Sequence, residues 1–280
     1  MLRAVTFHRE IRTGSSLPLV VSAGDGEQYV LKPHGSGDGM LASAVEWLAL
    51  GLGRLLGVPV LEPVVMEVGP GFAAQAEDPE IRELLERSPG MNLATRLVAA
   101  ARVPGEAELA ALDPGLRRDM LAFDLLLLNV DRHARNPNAI LGAGGVCFLD
   151  FSSAMSLRGL LAGSAVPVAP FLGQLRRNPF YAADVDLGPF IRRMAQVPAE
   201  PLRELMASLP GPWLRDVAPV PELGACRQRV AAGLEALLAD GGQLQERLEA
   251  LRPVPLESDE DRRRRSEANK AEFRRRFGKL

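Results

Sequence analysis

Apolar residues are spaced along this chain in two regimes. Up to about residue 70 they fall into short runs of strand length: Leu17-Pro18-Leu19-Val20-Val21, Gln28-Tyr29-Val30-Leu31-Lys32 and Val64-Val65-Met66-Glu67-Val68. Between the first two stands Ala23-Gly24-Asp25-Gly26-Glu27, which suits a hairpin turn because Gly, and to a lesser degree Asp, tolerates positive φ. A glycine-rich stretch (Gly35, Gly37, Gly39) precedes one helix, expected from about Met40 to Leu56. Leu41, Val45, Leu48, Leu52 and Leu55 recur there at three- and four-residue steps, the period of a single helical face. Gly57 stops that helix, and Gly69-Pro70-Gly71 reads as a hinge.

From about residue 76 the period is helical. Helices are expected at Glu80–Arg87, Glu106–Leu112, Gly115–Leu128, Gly188–Gln196, Ala199–Ser208 and Gln228–Asp240. One hairpin interrupts them, Asn138–Leu141 and Val146–Leu149 around Gly142-Ala143-Gly144-Gly145. The mixture of proline, glycine and apolar residues between Leu160 and Asn178 predicts no element. The chain therefore divides into a strand-rich unit over 1–75, a helical unit over 76–256 and a charged helical tail over 257–280, an α+β organisation.

Composition narrows the partners. With 47% apolar and 24% charged residues among 280, the chain is an ordinary globular one, and a net charge of -2 favours neither nucleic acid nor an anionic membrane. The tail is locally basic (Arg262–Arg265, Arg274–Arg276). Asp259, Glu260 and Asp261 each precede an arginine by four residues, so it reads as a solvated, ion-paired helix rather than a nucleic-acid element. Glu46, Arg54 and Asp124 break the candidate membrane spans, and Thr6, His8, Arg9, Glu10 and Arg12 make the N-terminus too polar for a signal-peptide core. Cys147 and Cys226 form neither a disulfide framework nor a metal-ligand spacing, which fits a reducing compartment. The expectation is a cytoplasmic protein with no membrane partner.

The chemistry concentrates in Asn129-Val130-Asp131-Arg132-His133-Ala134-Arg135-Asn136-Pro137-Asn138 and in Phe148-Leu149-Asp150-Phe151. An apolar helix ending in Leu125-Leu126-Leu127-Leu128 delivers the first run into a loop, the way a rigid scaffold presents reactive groups. Phosphoryl transfer needs an acceptor hydroxyl held in line, metal on the phosphates, and cations near the developing charge. An Asp can take the hydroxyl proton, and an Asn oxygen with a second carboxylate suits Mg2+, a hard cation. Asp131-x-x-x-x-Asn136 has the catalytic-loop spacing of protein kinases, and Asp150 follows at the end of a strand.

These motifs resemble those of the HipA-like kinases, and the Asp-x-His-x-x-Asn pattern also occurs in the phosphatidylinositol kinases. The resemblance implies Asp131 as catalytic base and Asn136 and Asp150 as Mg2+ ligands. His133 is either catalytic, as in phosphatidylinositol kinases, or a structural hydrogen-bond partner. Ser152 stands where protein kinases have the glycine of Asp-Phe-Gly. The helix Ala42-Ser43-Ala44-Val45-Glu46-Trp47-Leu48 with its Leu56-Gly57-Val58-Pro59 ending resembles the same family, so the likeness spans roughly residues 12–155.

For ATP binding the kinase order supplies Lys32 at a strand end, on the phosphates, and Glu46 on the next helix as its ion-pair partner. Thr13-Gly14-Ser15-Ser16 precedes the lysine strand, where a loop with Gly14, Ser15 and Ser16 would cover the phosphates. The expected fold is two-lobed and kinase-like. The expected function is ATP- and Mg2+-dependent transfer to a hydroxyl, with a protein serine or threonine favoured by the resemblance. Some HipA-like enzymes are toxins paired with antitoxins, so an antitoxin-like partner is conceivable beside an unidentified protein substrate. A lipid or small-molecule kinase, a nucleotide-binding pseudokinase and an interaction module remain open from the residues alone. Two hydroxyls beside the expected γ-phosphate position also make Ser15 and Ser16 candidates for autophosphorylation. Intact mass after incubation with Mg-ATP should rise by one phosphate, and active protein of unchanged mass would remove the idea.

Overall fold

The computed structural model describes residues 1–12, 17–36 and 39–256. Its first part is a five-stranded closed barrel built from β1 (Leu2–Glu10), β2 (Leu19–Ala23) and β3 (Gln28–Lys32), the helix α1 (Gly39–Leu55), then β4 (Pro63–Val68), α2 (Pro79–Glu86) and β5 (Gly90–Arg96). The strands run in the order β1-β2-β3-β5-β4, and a short parallel pairing of β1 with β4 closes the ring. Leu19, Val21, Leu31, Met66 and Ala94 fill its interior together with Phe72, Ile81 and Leu85 from the β4–β5 connection.

Two expectations change here. Gly69-Pro70-Gly71 is not a boundary between lobes: Gly71 takes φ +79°, caps a short 3-10 helix at Phe72–Gln75, and the chain then returns to the barrel. The strand-rich unit accordingly runs on to Arg96, past residue 75. β5 escapes the pattern search because Asn92 occupies a fully buried position in it. The Asn92 carboxamide accepts the His34 N–H at 2.9 Å and donates to the Ser88 carbonyl at 2.9 Å, so its burial leaves hydrogen bonds made rather than lost.

α1 is buried around most of its circumference, from Ser43 to Gly53, because it lies between the barrel and the helical lobe. Leu56, just past the helix end, is buried in place of Leu55, which points outward. Gly53 leaves room for a neighbour: a Cβ there would meet Val60 Cγ2 at 2.9 Å. That close approach holds the α1–β4 connection against α1.

The helical lobe comprises α3 (Glu106–Ala110), α4 (Pro114–Leu127), the hairpin β6 (Ala139–Gly142) and β7 (Gly145–Phe148), α5 (Met155–Ala162), α6 (Leu172–Leu175), α7 (Gly188–Met194), α8 (Ala199–Ser208), α9 (Leu223–Ala239) and α10 (Gly241–Leu251). α4 starts where Asp113 accepts the Leu116 N–H and Pro114 takes the first helical position. Every residue from Met120 to Leu127 is buried. The stretch from Leu160 to Asn178 contains the end of α5, a 3-10 turn at Ala169–Phe171 and the single turn of α6. Trp47 and Trp213 are packing residues, edge to face at 5.9 Å, and Trp213 donates to the Met91 carbonyl of β5, tying the lobes together. Among the described residues no helix is long and apolar enough to cross a membrane, and both cysteines are free. The fold is a two-lobed α+β kinase-like one.

Candidate active site

The site begins with a polar residue in the wrong-looking place. Asp124 lies in the last turn of the apolar helix α4, wholly buried, where an unpaired carboxylate would be very costly. Three donors meet it: Arg132 Nε at 2.7 Å, Asn129 Nδ2 at 2.8 Å and Asn178 Nδ2 at 2.7 Å. Burial pushes the Asp124 carboxyl upward in pKa, against the pull of Arg132 and the two amides. Arg132 is itself fully buried, with its guanidinium about equally close to the rings of Phe148 and Phe151, at 5.2 and 5.0 Å. Its Nη1 donates to the carbonyls of Pro137 and Asn138 at 2.5 and 2.7 Å. The loop from Asn129 to Asn138 thus wraps around one arginine.

Wrapping Arg132 inward leaves its neighbours on the cleft side. Asp131 Oδ2 accepts from Asn136 Nδ2 at 2.9 Å and from Asn138 Nδ2 at 3.2 Å. His133 and Asn136 exchange main-chain hydrogen bonds of 3.1 and 2.9 Å, a miniature bridge that fixes the spacing of the loop. Asn138 also donates to the Asp150 carbonyl at 3.4 Å, so one side chain spans both halves of the motif. Asn138 and Asp150 both have positive φ, 44° and 58°, a region that Asn and Asp enter more readily than other side-chain-bearing residues.

β7 delivers Asp150. The Phe148 N–H donates to the Pro59 carbonyl at 2.8 Å, which fastens this strand to the end of α1. Asp150 therefore arrives beside Glu46: its N–H donates to Glu46 Oε1 at 3.0 Å. Lys32 Nζ closes the triangle, 2.8 Å from Glu46 Oε2 and 3.2 Å from Asp150 Oδ1. The Ser152 hydroxyl adds a bond to Asp150 Oδ1 at 3.2 Å. Burial alone would lower the Lys32 ammonium, but Glu46 and Asp150 outweigh it and hold its pKa above the ordinary value. Burial raises Glu46 in spite of Lys32. It works the same way on Asp150, yet there Lys32 and the Ser152 hydroxyl prevail and the carboxyl sits below its usual range.

The structure thus brings Lys32, Glu46 and Asp150 into one ion cluster and Asp131, His133 and Asn136 onto the adjoining loop. Gly14, Ser15 and Ser16 lie outside the described residues. Asp124, Arg132, Asn138 and Asn178 were missed by the sequence reading. Asp124 carried a signal, being a charge inside a helix otherwise read as core, whereas Asn178 lies in a stretch with no legible pattern. Among the described residues no three His, Cys, Asp or Glu side chains gather as a self-sufficient metal site. Mg2+ in phosphoryl-transfer sites is held by one or two protein oxygens together with phosphate oxygens. Asn136 turns its amide nitrogen to Asp131, so its oxygen and the Asp150 carboxylate are the atoms that would hold the ion. A groove of about 570 Å³ lined by Trp47, Val65, Met91, Ser208 and Pro210 shares no residue with this constellation.

Fold and site together define a kinase-like protein. The family model of the HipA-like kinases matches residues 4–156, more than half of the chain, and the chain belongs to that family. Among solved structures, the proinflammatory kinase CtkA of Helicobacter pylori is similar at 9% identity, over 88% of this chain and 96% of that one, with a TM-score of 0.49. The MAP kinase LmaMPK10 of Leishmania major is similar at 13% identity, over 88% and 83%, with a TM-score of 0.28. At that level of likeness neither says which residues act here. A search of the curated proteins gives no match.

Replacing Lys32 by Met leaves Glu46 and Asp150 without their cation. Breaking a buried pair in this way should cost about 3 kcal/mol. Glu46 would rise further in pKa, so the folded variant gains from protonating it. A raised carboxylate contributes stability below its unfolded pKa and loses it as pH climbs through the folded value. Urea unfolding should therefore show a larger loss at about pH 8 than at about pH 5. Equal losses at both would mean that Lys32 does not neutralise a buried carboxylate.

Proposed function

We propose that this protein transfers the γ-phosphoryl group of ATP to a hydroxyl, with Mg2+ as cofactor and a protein serine or threonine as acceptor. The observation that carries the reading is the Lys32 ammonium shared by Glu46 and Asp150 at 2.8 and 3.2 Å. A cation in that setting belongs on the phosphates, with the neighbouring carboxylate on the metal. Asn136 and Asn138 both donate to Oδ2 of Asp131, which orients the carboxylate that meets the acceptor hydroxyl. Asp131 takes the hydroxyl proton as the new oxygen–phosphorus bond forms and the bond to the ADP oxygen breaks. Held by Asn136 and Asp150, Mg2+ would neutralise charge on the transferring phosphate. His133 pairs with Asn136 through its main chain and so helps fix the loop, and its imidazole remains the second candidate catalytic group there.

The serine or threonine acceptor, a cytoplasmic setting and an antitoxin-like partner rest on membership of the HipA-like family. The loop with Gly14, Ser15 and Ser16 completes the reading as the cover over the phosphates. Phosphate incorporation and ATP hydrolysis by the purified protein test it, beside Asp131→Ala and Asp150→Ala. Loss of the base should lower the rate by about 100-fold or more. Asp150→Ala should also weaken Mg-ATP binding. Wild-type protein that neither turns over nor binds Mg-ATP would overturn the proposal.

A further inference from the structure

α4 has to stop at a definite angle for Asp131 to face the cleft, and its stop is strained. The last carbonyls of a helix have no partner within it. Leu128, immediately beyond, takes φ 50° and ψ 49°, a left-handed conformation that crowds a leucine and is usually left to glycine. Such a conformation persists only where surrounding contacts over-determine it. Ser156 Oγ donates to the Leu126 carbonyl at 3.0 Å, and the Met155 N–H donates to the Leu128 carbonyl at 3.3 Å. A third contact reaches across more than a hundred residues. Arg247 Nη1, from α10, donates to the carbonyls of Leu125 at 2.7 Å and Leu126 at 2.8 Å. Its Nη2 donates to Gln243 Oε1 at 2.5 Å, which aims the guanidinium.

We infer that Arg247 is a positioning residue for phosphoryl transfer, holding the carbonyl end of α4 so that the loop three residues on presents Asp131. The inference rests on the kinase reading above and extends it into the part of the chain beyond the family-matched segment 4–156. Arg247 is only 7% exposed, and its planar fork can serve two carbonyls and an amide at once. A cation at this end also meets the negative pole of α4. Burial pushes its pKa down to about 10, which leaves it charged at neutral pH. Its hydrogen bonds go to the end of α4 and to Gln243, so nucleotide binding should not depend on it.

The test compares Arg247→Met and Arg247→Lys with wild type in steady-state phosphoryl transfer and in amide hydrogen exchange. Arg247→Met should lower kcat by about 10- to 100-fold, the scale of a roughly 1 Å misplacement, with KM for ATP within about twofold. Arg247→Lys should restore part of kcat. Exchange should quicken over residues 128–136 and stay unchanged over β3 and α1. A folded Arg247→Met with wild-type kcat, or with kcat and KM altered in proportion, would overturn the inference, as would unchanged exchange over 128–136. Should Arg247→Met fail to fold, Gln243→Ala makes the same comparison with the guanidinium still present, and wild-type kcat and exchange there would equally overturn it. Wild-type protein without transfer would count against the kinase proposal alone, because the exchange measurement still decides the positioning.

Discussion

A guanidinium cannot be buried alone, and the requirement to match that of Arg132 shapes the centre of this molecule. Asp124 supplies the charge and accepts from Nε, the Pro137 and Asn138 carbonyls take the Nη1 protons, and Phe148 and Phe151 flank the guanidinium. Removing either partner of such a pair typically costs about 3–5 kcal/mol, because the survivor is left charged in an apolar interior. The pair need not be more stabilising than an apolar replacement. What it does fix is conformation: the loop from Asn129 to Asn138 must take a course that brings two carbonyls to Nη1 while Asp124 stays on Nε. Asp131 and Asn136 inherit their orientation from that course. Asn178, reaching Asp124 at 2.7 Å, extends the same constraint into the distal helical lobe.

The second dependence is between lobes. Lys32 belongs to the barrel, Glu46 to the helix at the lobe junction, and Asp150 to the hairpin of the helical lobe. The ion cluster they form is therefore a statement about the relative placement of three elements. One apolar contact and one main-chain hydrogen bond help set that placement: the contact that Gly53 permits with Val60, and the Phe148 N–H on the Pro59 carbonyl. Charge attraction then works over an already short distance, in surroundings where it is little screened. Ser152, in the position where protein kinases carry a glycine, bonds to Asp150 and so adds a donor to that carboxylate.

Much of this was legible in the sequence because the relevant signals are local. The β3 strand, the span of α1 and the β6–β7 hairpin follow from period and turn residues over a few positions. Lys32, Glu46, Asp131, Asn136 and Asp150 could be named from their order and spacing. What stayed hidden depends on partners remote in sequence. β5 is a strand because it pairs with β3 and β4, and its buried Asn92 is tolerated because it finds His34 and Ser88. Asp124 looked like an interruption of an apolar run, and its meaning appears only with Arg132 and Asn178 around it. The boundary near residue 75 was misplaced because a Gly-Pro-Gly turn inside one lobe has the same composition as a linker between two. Arg247, on a helix not expected at all, carries no sequence signal: its partners are main-chain carbonyls, which every residue possesses.

The central claim is that Asp150 and Asn136 hold a metal beside Lys32, so that nucleotide phosphates and Mg2+ are bound together. Calorimetric titration of ATP into the purified protein, with Mg2+ and then with excess chelator, tests it most directly. The account predicts saturable binding with Mg2+ that weakens by about tenfold or more in its absence, since the phosphates then lose the cation that links them to the two oxygens. Equal affinity under both conditions would contradict the assigned metal ligands, and no binding under either would contradict the site.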